Sequence, residues 1–419
     1  MTAGERRNIL ISFLCFTSQV VLRNPISVIG LGEGSTGKTH VLEIALLLIP
    51  DELIEYEKKP TLPSMFRRSE IDPYHYDGKI VVYGDMGGEN DQDEARQCKD
   101  IIKELQSDAY LNRPVTVSTS EGFEVVDLEL FGRPCLAYTT VPNYDFDSQE
   151  KSRSLIFTAR EDNKEVFDER KNVLEFIGGR TYNTFLKYQK EVNEVKNIVM
   201  GLRSKFKDVM IINPYTESII NFIGDTEYYK RDYDKYNGIL KAITAFNSVN
   251  REICCINGNN VIFTTKEDIK LFLSLFEIYH DAISTNLSPK ASDILGDMRD
   301  NFSSYNKESI LGLSVLEYVE QGNVKASLRS IHRYFKELEE EGFIKVNGNL
   351  GRTQLYDLTE KSKKGSLDDL LQLSDSARNR IREEYGSHYL RIIEEDRVDN
   401  NLSIMLHHDL VEVPSWCDL

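Results

Sequence analysis

Residues Gly32 to His40 read "GEGSTGKTH", directly after an apolar run that ends Ile26-Ser-Val-Ile29, and no other stretch constrains the fold as tightly. The spacing GxxxxGK[ST] is filled by Gly32, Gly37, Lys38 and Thr39. Glycines there permit a tight loop whose N–H groups surround phosphate oxygens. The lysine reaches the outer phosphates, and the threonine hydroxyl can ligate Mg²⁺. Such a loop must leave a strand and open a helix, and the β-like run before it and the helical spacing of "KTHVLEIALLLI" after it supply both. Gly32, Glu33, Gly34, Ser35, Thr36, Gly37, Lys38, Thr39 and His40 therefore form the candidate cradle, with ATP and Mg²⁺ as the implied ligands. The fold class that follows is α/β, a parallel sheet flanked by helices.

At 419 residues the chain has room for roughly two to three domains. Lys and Arg total 51 against 68 acidic residues, a net charge of −17 that disfavours indiscriminate adhesion to DNA or to anionic membranes. Any nucleic-acid contact must be local. The six cysteines show no CxxC pairing and no His partner at zinc spacing, the pattern of reduced thiols in a cytoplasmic protein without disulfides or a metal cluster. The opening "ERRNILISFLCF" imitates a signal peptide, but its apolar part is too short to span a bilayer. Residues 6–22 read instead as a buried helix beside the first strand, with no membrane partner expected.

A bound Mg²⁺ needs a second anchor, an acid at the end of an apolar strand. "KIVVYGDMGGEND" supplies Asp85 after the strand-like Ile80–Tyr83. Met86 stands where hydrolytic relatives often carry a water-orienting Glu. Glu89 is the nearest substitute, with Asp91 and Glu94 as alternatives. A helix follows, "DEARQCKDIIKELQSD", then a stretch alternating on both sides of Glu121-Gly122 that reads as a β-hairpin. Next come an apolar strand ending in Thr139-Thr140 and Arg153 just before another strand.

This series resembles the AAA+ ATPases, and more narrowly the MCM-like helicase modules of phage and mobile-element replication proteins. The residues that carry the likeness are Gly32 to Thr39, Asp85, the 115–128 hairpin before the polar sensor strand, and "KSRS" around Arg153. It extends through "YYKRDYDKYNGILKAITAFN" and "VIFTTKEDIKLFLSL", similar to the helical lid of that group, and covers most of residues 20–280. The resemblance implies that Thr140, or Asn143 in its place, polarises the γ-phosphate or the water, and that Arg231 is the lid sensor. It implies that Arg153 is a finger offered to the ATP of a neighbouring copy, so that the active form is a homo-oligomeric ring, a hexamer, with hairpins around single-stranded DNA. The hairpin turn Ser118–Gly122 departs from the pattern by lacking the lysine that such motors place near DNA.

Residues 160–205 read as helices, and "STNLSPKASD" as part of a linker. Farther on, Leu328, Ile331, Phe335 and Leu338 repeat as a core stripe, while Lys325, Arg329, Arg333 and Lys336 fall on another face. The helix stops at Glu341-Gly342, and two strands joined by a glycine-rich turn follow as a wing. This resembles the winged-helix domain, which implies duplex DNA at Lys325, Arg329, Arg333 and Lys336, with Arg352 on the wing. Beyond Thr359 the chain reads as an acidic, partly flexible tail.

The expected organisation is an N-terminal helix (1–24), an AAA+ P-loop core (25–205), a helical lid (206–284), a linker (285–306), a winged-helix domain (307–359) and the tail (360–419). The expected function is an ATP-dependent DNA motor, a replicative helicase of MCM-like or primase–helicase type, with a replication protein as a further partner. An ATP-gated DNA-binding regulator or helicase-loader adaptor is the alternative. A small-molecule phosphotransferase would leave the lid and wing without purpose.

Overall fold

The computed structural model describes residues 5–32, 36–57, 60–86, 92–119, 122–141, 146, 148–158, 182–223, 229–251, 253–276, 289–305, 312–324, 326–351, 353–359 and 370–394. The chain forms two compact units, one of residues 1–216, 230–272 and 375–419, the other of 217–229 and 273–374.

The first unit is built on five parallel strands: β1 (Ser27–Leu31), β2 (Ile54–Glu57), β3 (Ile80–Asp85), β6 (Cys135–Thr140) and β7 (Ser154–Thr158), in the order β2-β3-β6-β1-β7. Every residue of β6 is buried, as expected of a central parallel strand covered on both faces. Gly30 leaves room for the side chains of its two cross-strand neighbours, because a Cβ there would lie 3.0 Å from the Phe157 ring and 3.2 Å from the Thr139 methyl. The helices α1 (Arg6–Val21), α2 (Lys38–Leu47), α3 (Leu62–Ile71), α4 (Gln92–Asp108) and α5 (Ser148–Arg153) accompany the sheet. On α4, Cys98, Ile101, Ile102 and Leu105 recur at helical spacing and pack in one core with Val81, Tyr83, Leu136 and Tyr138. Arg133 closes the far end of α4 by donating to the carbonyls of Gln106 and Ser107 at 2.5 and 2.7 Å.

The hairpin is longer than its alternation predicts: β4 (Tyr110–Thr119) pairs with β5 (Gly122–Phe131) in full register. Leu111, Leu128 and Leu130 root it in the core, whereas Phe123 near the tip is 84% exposed.

The 206–284 region is not wholly helical. Beside the helices Thr216–Ile223, Tyr229–Asn247 and Lys266–Phe276 it holds a three-stranded sheet, in which β8 (Val209–Ile212) runs parallel and β9 (Cys254–Ile256) antiparallel to β10 (Asn259–Phe263). Asn257 and Gly258, with φ of 52° and 80°, make the tight turn between β9 and β10, for which an Asn-Gly pair is suited.

Residues 360–419 were expected as a tail, and the described part departs from that. Helices Asp375–Glu384 and Ser387–Glu394 bury Ile381, Leu390 and Ile393. The ring of Tyr385 meets Phe263 edge to face and that of Tyr389 lies tilted against it, with centroids 5.4 and 5.5 Å away, and the Tyr215 hydroxyl donates to the Ile393 carbonyl at 3.2 Å. Charged residues between the apolar positions mask the helical spacing. Residues 395–419 lie outside the described residues.

The second unit overturns the linker reading for most of its span, since Pro289–Tyr305 is a helix. Its Ala291, Ile294, Leu295 and Met298 share a core with Leu313, Tyr318, Ile331, Phe335, Leu338 and Tyr356. Helices Val315–Gln321 and Leu328–Glu340 follow, each started by a serine, Ser314 and Ser327, whose side chain accepts a backbone N–H of the first turn. An antiparallel sheet of β11 (Leu313–Ser314), β12 (Ile344–Leu350) and β13 (Thr353–Leu358), in the order β11-β13-β12, completes the unit. Leu328 does not join the core stripe: it is 42% exposed at the first position of its helix, before the turn that faces the other helices. Among the described residues no helix is long and apolar enough to cross a membrane.

Candidate nucleotide site and basic helix

Because the strands are parallel, their C-terminal ends lie along one edge of the sheet, where loops can converge on a ligand. Leu31 stands opposite Thr140, and Thr139 opposite Asp85. Backbone hydrogen bonds continue past the strand ends, from Gly32 N–H to the Thr140 carbonyl at 3.3 Å and from Met86 N–H to the Thr139 carbonyl at 2.9 Å. Gly37, with φ of 87°, turns the chain into α2, a conformation unfavourable for other residues. Lys38 then sits buried at the helix start, its Nζ donating to the Gly32 carbonyl at 2.9 Å and lying 3.4 Å from Asp85 Oδ2.

These residues fit a nucleoside triphosphate with Mg²⁺. A Cβ on Gly32 would come within 2.7 Å of Thr36 Oγ1 and crowd the loop. The loop leads directly into the N-terminus of α2, and a helix N-terminus is suited to an anion. The exposed Thr39 hydroxyl and the half-exposed Asp85 carboxylate are the hard oxygen donors that Mg²⁺ prefers. Glu33, Gly34 and Ser35 lie outside the described residues. His40 faces Glu43 instead, with Nδ1 3.8 Å from Oε2 on the outer side of α2.

Thr140 is fully buried and its hydroxyl has no hydrogen-bond partner, a cost of about 1–3 kcal/mol. The Tyr83 hydroxyl on β3 is likewise buried and unpaired, and burial, more than its neighbours Cys98 and Tyr76, pushes that phenol well above its ordinary pKa. Glu89, Asp91 and Asn143 lie outside the described residues, as does the side chain of Glu94. Arg231 stands exposed in the first turn of helix Tyr229–Asn247.

Arg153 is not brought to this edge. It precedes β7 where Ser154 pairs with Ser27, the first residue of β1, so the length of β1 separates it from the loop, about 16 Å at 3.3 Å per residue. Its Nη1 donates to the Lys103 carbonyl of α4 at 3.1 Å. One turn earlier in α5, Glu150 makes contacts that no sequence motif announces. Its Oε1 accepts from Lys99 Nζ at 2.5 Å and from the Tyr138 hydroxyl at 2.7 Å, with Lys99 and Glu150 side chains only 1% and 3% exposed. Only the position of Lys99 inside a helix rich in buried residues hints at this.

In the second unit, Arg329, Arg333 and Lys336 are exposed on helix Leu328–Glu340, opposite the buried Ile331, Phe335 and Leu338. His332, also exposed, completes the i, i+3, i+4, i+7 stripe, a spacing the sequence already carries. The Arg333 guanidinium lies 4.9 Å from the centroid of the Tyr334 ring. Lys336 pairs with Glu340 at 3.4 Å in full solvent, a contact of little energetic weight. Lys325 and Arg352 lie outside the described residues.

No protein-family model matches this sequence, and no curated protein matches it. Among solved structures the chain is similar to a full-length MCM homolog from Methanopyrus kandleri, at 12% identity over 67% of this chain, with a TM-score of 0.38. The match spans 56% of that protein's length. A likeness this loose bears on neither the site nor its chemistry.

Proposed function

We propose that the chain is an ATPase that drives a DNA motor, a replicative helicase of MCM-like or primase–helicase type from a phage or mobile element, acting as a homo-oligomeric ring. One observation carries the reading: Lys38, Gly32 and Asp85 meet at adjoining strand ends, with Thr140 on the strand between them, while Arg153 is held at the other edge of the same sheet.

In this reading Lys38 exchanges the Gly32 carbonyl for phosphate oxygens, and Thr39 and Asp85 hold Mg²⁺. Mg²⁺-ATP supplies an activated phosphoryl group on which negative charge must be stabilised during transfer to water. Thr140 presents its hydroxyl toward that charge, and Glu89 orients the water. Arg153 is too far from its own phosphate loop to assist, so its cation serves the loop of an adjoining copy, and oligomerisation becomes part of catalysis. Arg231 reports nucleotide to the lid. The second unit is read as a winged helix whose Arg329, Arg333 and Lys336, with Lys325 and Arg352, meet duplex DNA. Single-stranded DNA passes the hairpins inside the ring, and a replication protein is a further partner.

A second reading has its own support. Glu124, Asp127 and Glu129 outnumber Arg113 on the hairpin strands, and Met86 follows Asp85. Both features suit an ATP-gated DNA-binding regulator or loader adaptor that separates no strands. ATP turnover and strand displacement, with and without DNA, on wild type, Lys38→Ala and Arg153→Ala separate the two. A motor requires that DNA accelerate hydrolysis, that both variants lose it, and that mixing them restore part of it. DNA-accelerated turnover without strand displacement selects the regulator, and turnover indifferent to both DNA and mixing removes the motor.

A further inference from the structure

The six residues of α5 tie together three elements of the first unit. Glu150 accepts from Lys99 of α4 and from Tyr138 of β6, and the Lys99 ammonium also lies 5.3 Å from the Tyr138 ring centroid. Lys235 of helix Tyr229–Asn247 donates to the Lys151 carbonyl at 3.4 Å. Arg153 donates to the carbonyl of Lys103, one turn beyond Lys99. Two successive turns of α4 therefore grip Glu150 and Arg153, one turn apart on α5.

A buried ion pair rarely stabilises a fold more than well-packed apolar residues would. What it does impose is placement, because the carboxylate and the ammonium are both satisfied in one register alone. Glu150 and Arg153 are three residues apart on a helix, so they share a face, and a shift of one carries the other. Tyr138 lies two residues before Thr140 on a strand, hence on the same side of the sheet as the unpaired hydroxyl at the phosphate edge.

We infer that Glu150, clamped by Lys99 and Tyr138, is the positioning residue for Arg153, and that α5 couples the sensor strand and the lid helix of one copy to the guanidinium it offers the next. This rests on the trans role of Arg153 proposed above. Glu150 touches no nucleotide itself. It fixes where Arg153 stands, through Tyr138 when β6 shifts at Thr140 and through the Lys151 carbonyl when the lid helix moves.

The test uses the full chain and four variants: Arg153→Ala, Lys38→Ala, Glu150→Gln, and the apolar replacement Lys99→Met with Glu150→Leu. Gln keeps an acceptor for Tyr138, and the apolar pair keeps the volume without burying a lone charge. Both Glu150 variants are expected to bind the fluorescent analogue mant-ATP within about twofold of wild type while turnover falls about tenfold or more. Mixed with Lys38→Ala, which has a dead site and an intact guanidinium, they should recover turnover; mixed with Arg153→Ala they should not. Wild-type turnover in the apolar variant overturns the inference, as does loss of mant-ATP binding or rescue by Arg153→Ala. Full activity in Arg153→Ala would remove the trans reading beneath it, a result distinct from any of these.

Discussion

At the scale of single residues, charges that leave water must be matched. Asp268 is fully buried and accepts from Arg251 Nη1 and Nη2 at 2.6 and 2.8 Å, from Asn247 at 2.7 Å and from the Thr265 N–H at 3.0 Å. Removing the carboxylate strands a mostly buried guanidinium and several donors, so Asp268→Ala should lower stability by about 3–5 kcal/mol. Urea unfolding followed by far-UV circular dichroism measures it, and a midpoint unchanged from wild type would show that the network contributes nothing. The phosphate loop was the most legible part of the sequence, because its chemistry demands particular residue types at fixed spacing. Lys99 and Glu150 were illegible for the opposite reason. A charged residue in a helix reads as solvated unless its partner, here 51 positions away, is known to face it.

At the scale of elements, periodicity disclosed what has one dry face and missed what looks like punctuation. Pro289 in "STNLSPKASD" reads as a linker signal, yet proline is also favoured in the first turn of a helix, and here it opens one. Asn257-Gly258, inside the region read as a helical lid, turns one strand back on another instead. The helix Leu328–Glu340 was foreseen, because its polar and apolar faces separate cleanly. If its cations meet phosphates, Arg329→Ala with Arg333→Ala should reduce the slope of log affinity against log salt by about 2, near 0.9 per phosphate lost. Fluorescence anisotropy on a duplex between about 0.05 and 0.2 M salt reads this out. An unaltered slope assigns the helix to a protein partner.

For the whole molecule, the −17 charge sets copies of the chain against one another. Screening shortens the reach of that repulsion to about 8 Å at physiological ionic strength. If copies assemble on ATP and the basic helix holds duplex as proposed, assembly should strengthen as salt rises while attachment to duplex weakens, giving opposite salt dependences in one protein. Sedimentation velocity across the same salt range tests this; a mass that falls with added salt would mean that attractive ion pairs, not apolar contacts, join the copies.

The chain passes between its two compact units four times, at 216/217, 229/230, 272/273 and 374/375. Cutting the molecule at one sequence boundary thus cannot yield two intact halves. A fragment begun at 307 would discard Ala291, Ile294, Leu295 and Met298 from its own interior, and one ended at 374 would strip the Phe263 ring of Tyr385 and Tyr389. Dissection of this protein has to follow the weave of the chain rather than its linear order, and a protease nick between the crossings should leave the pieces travelling together.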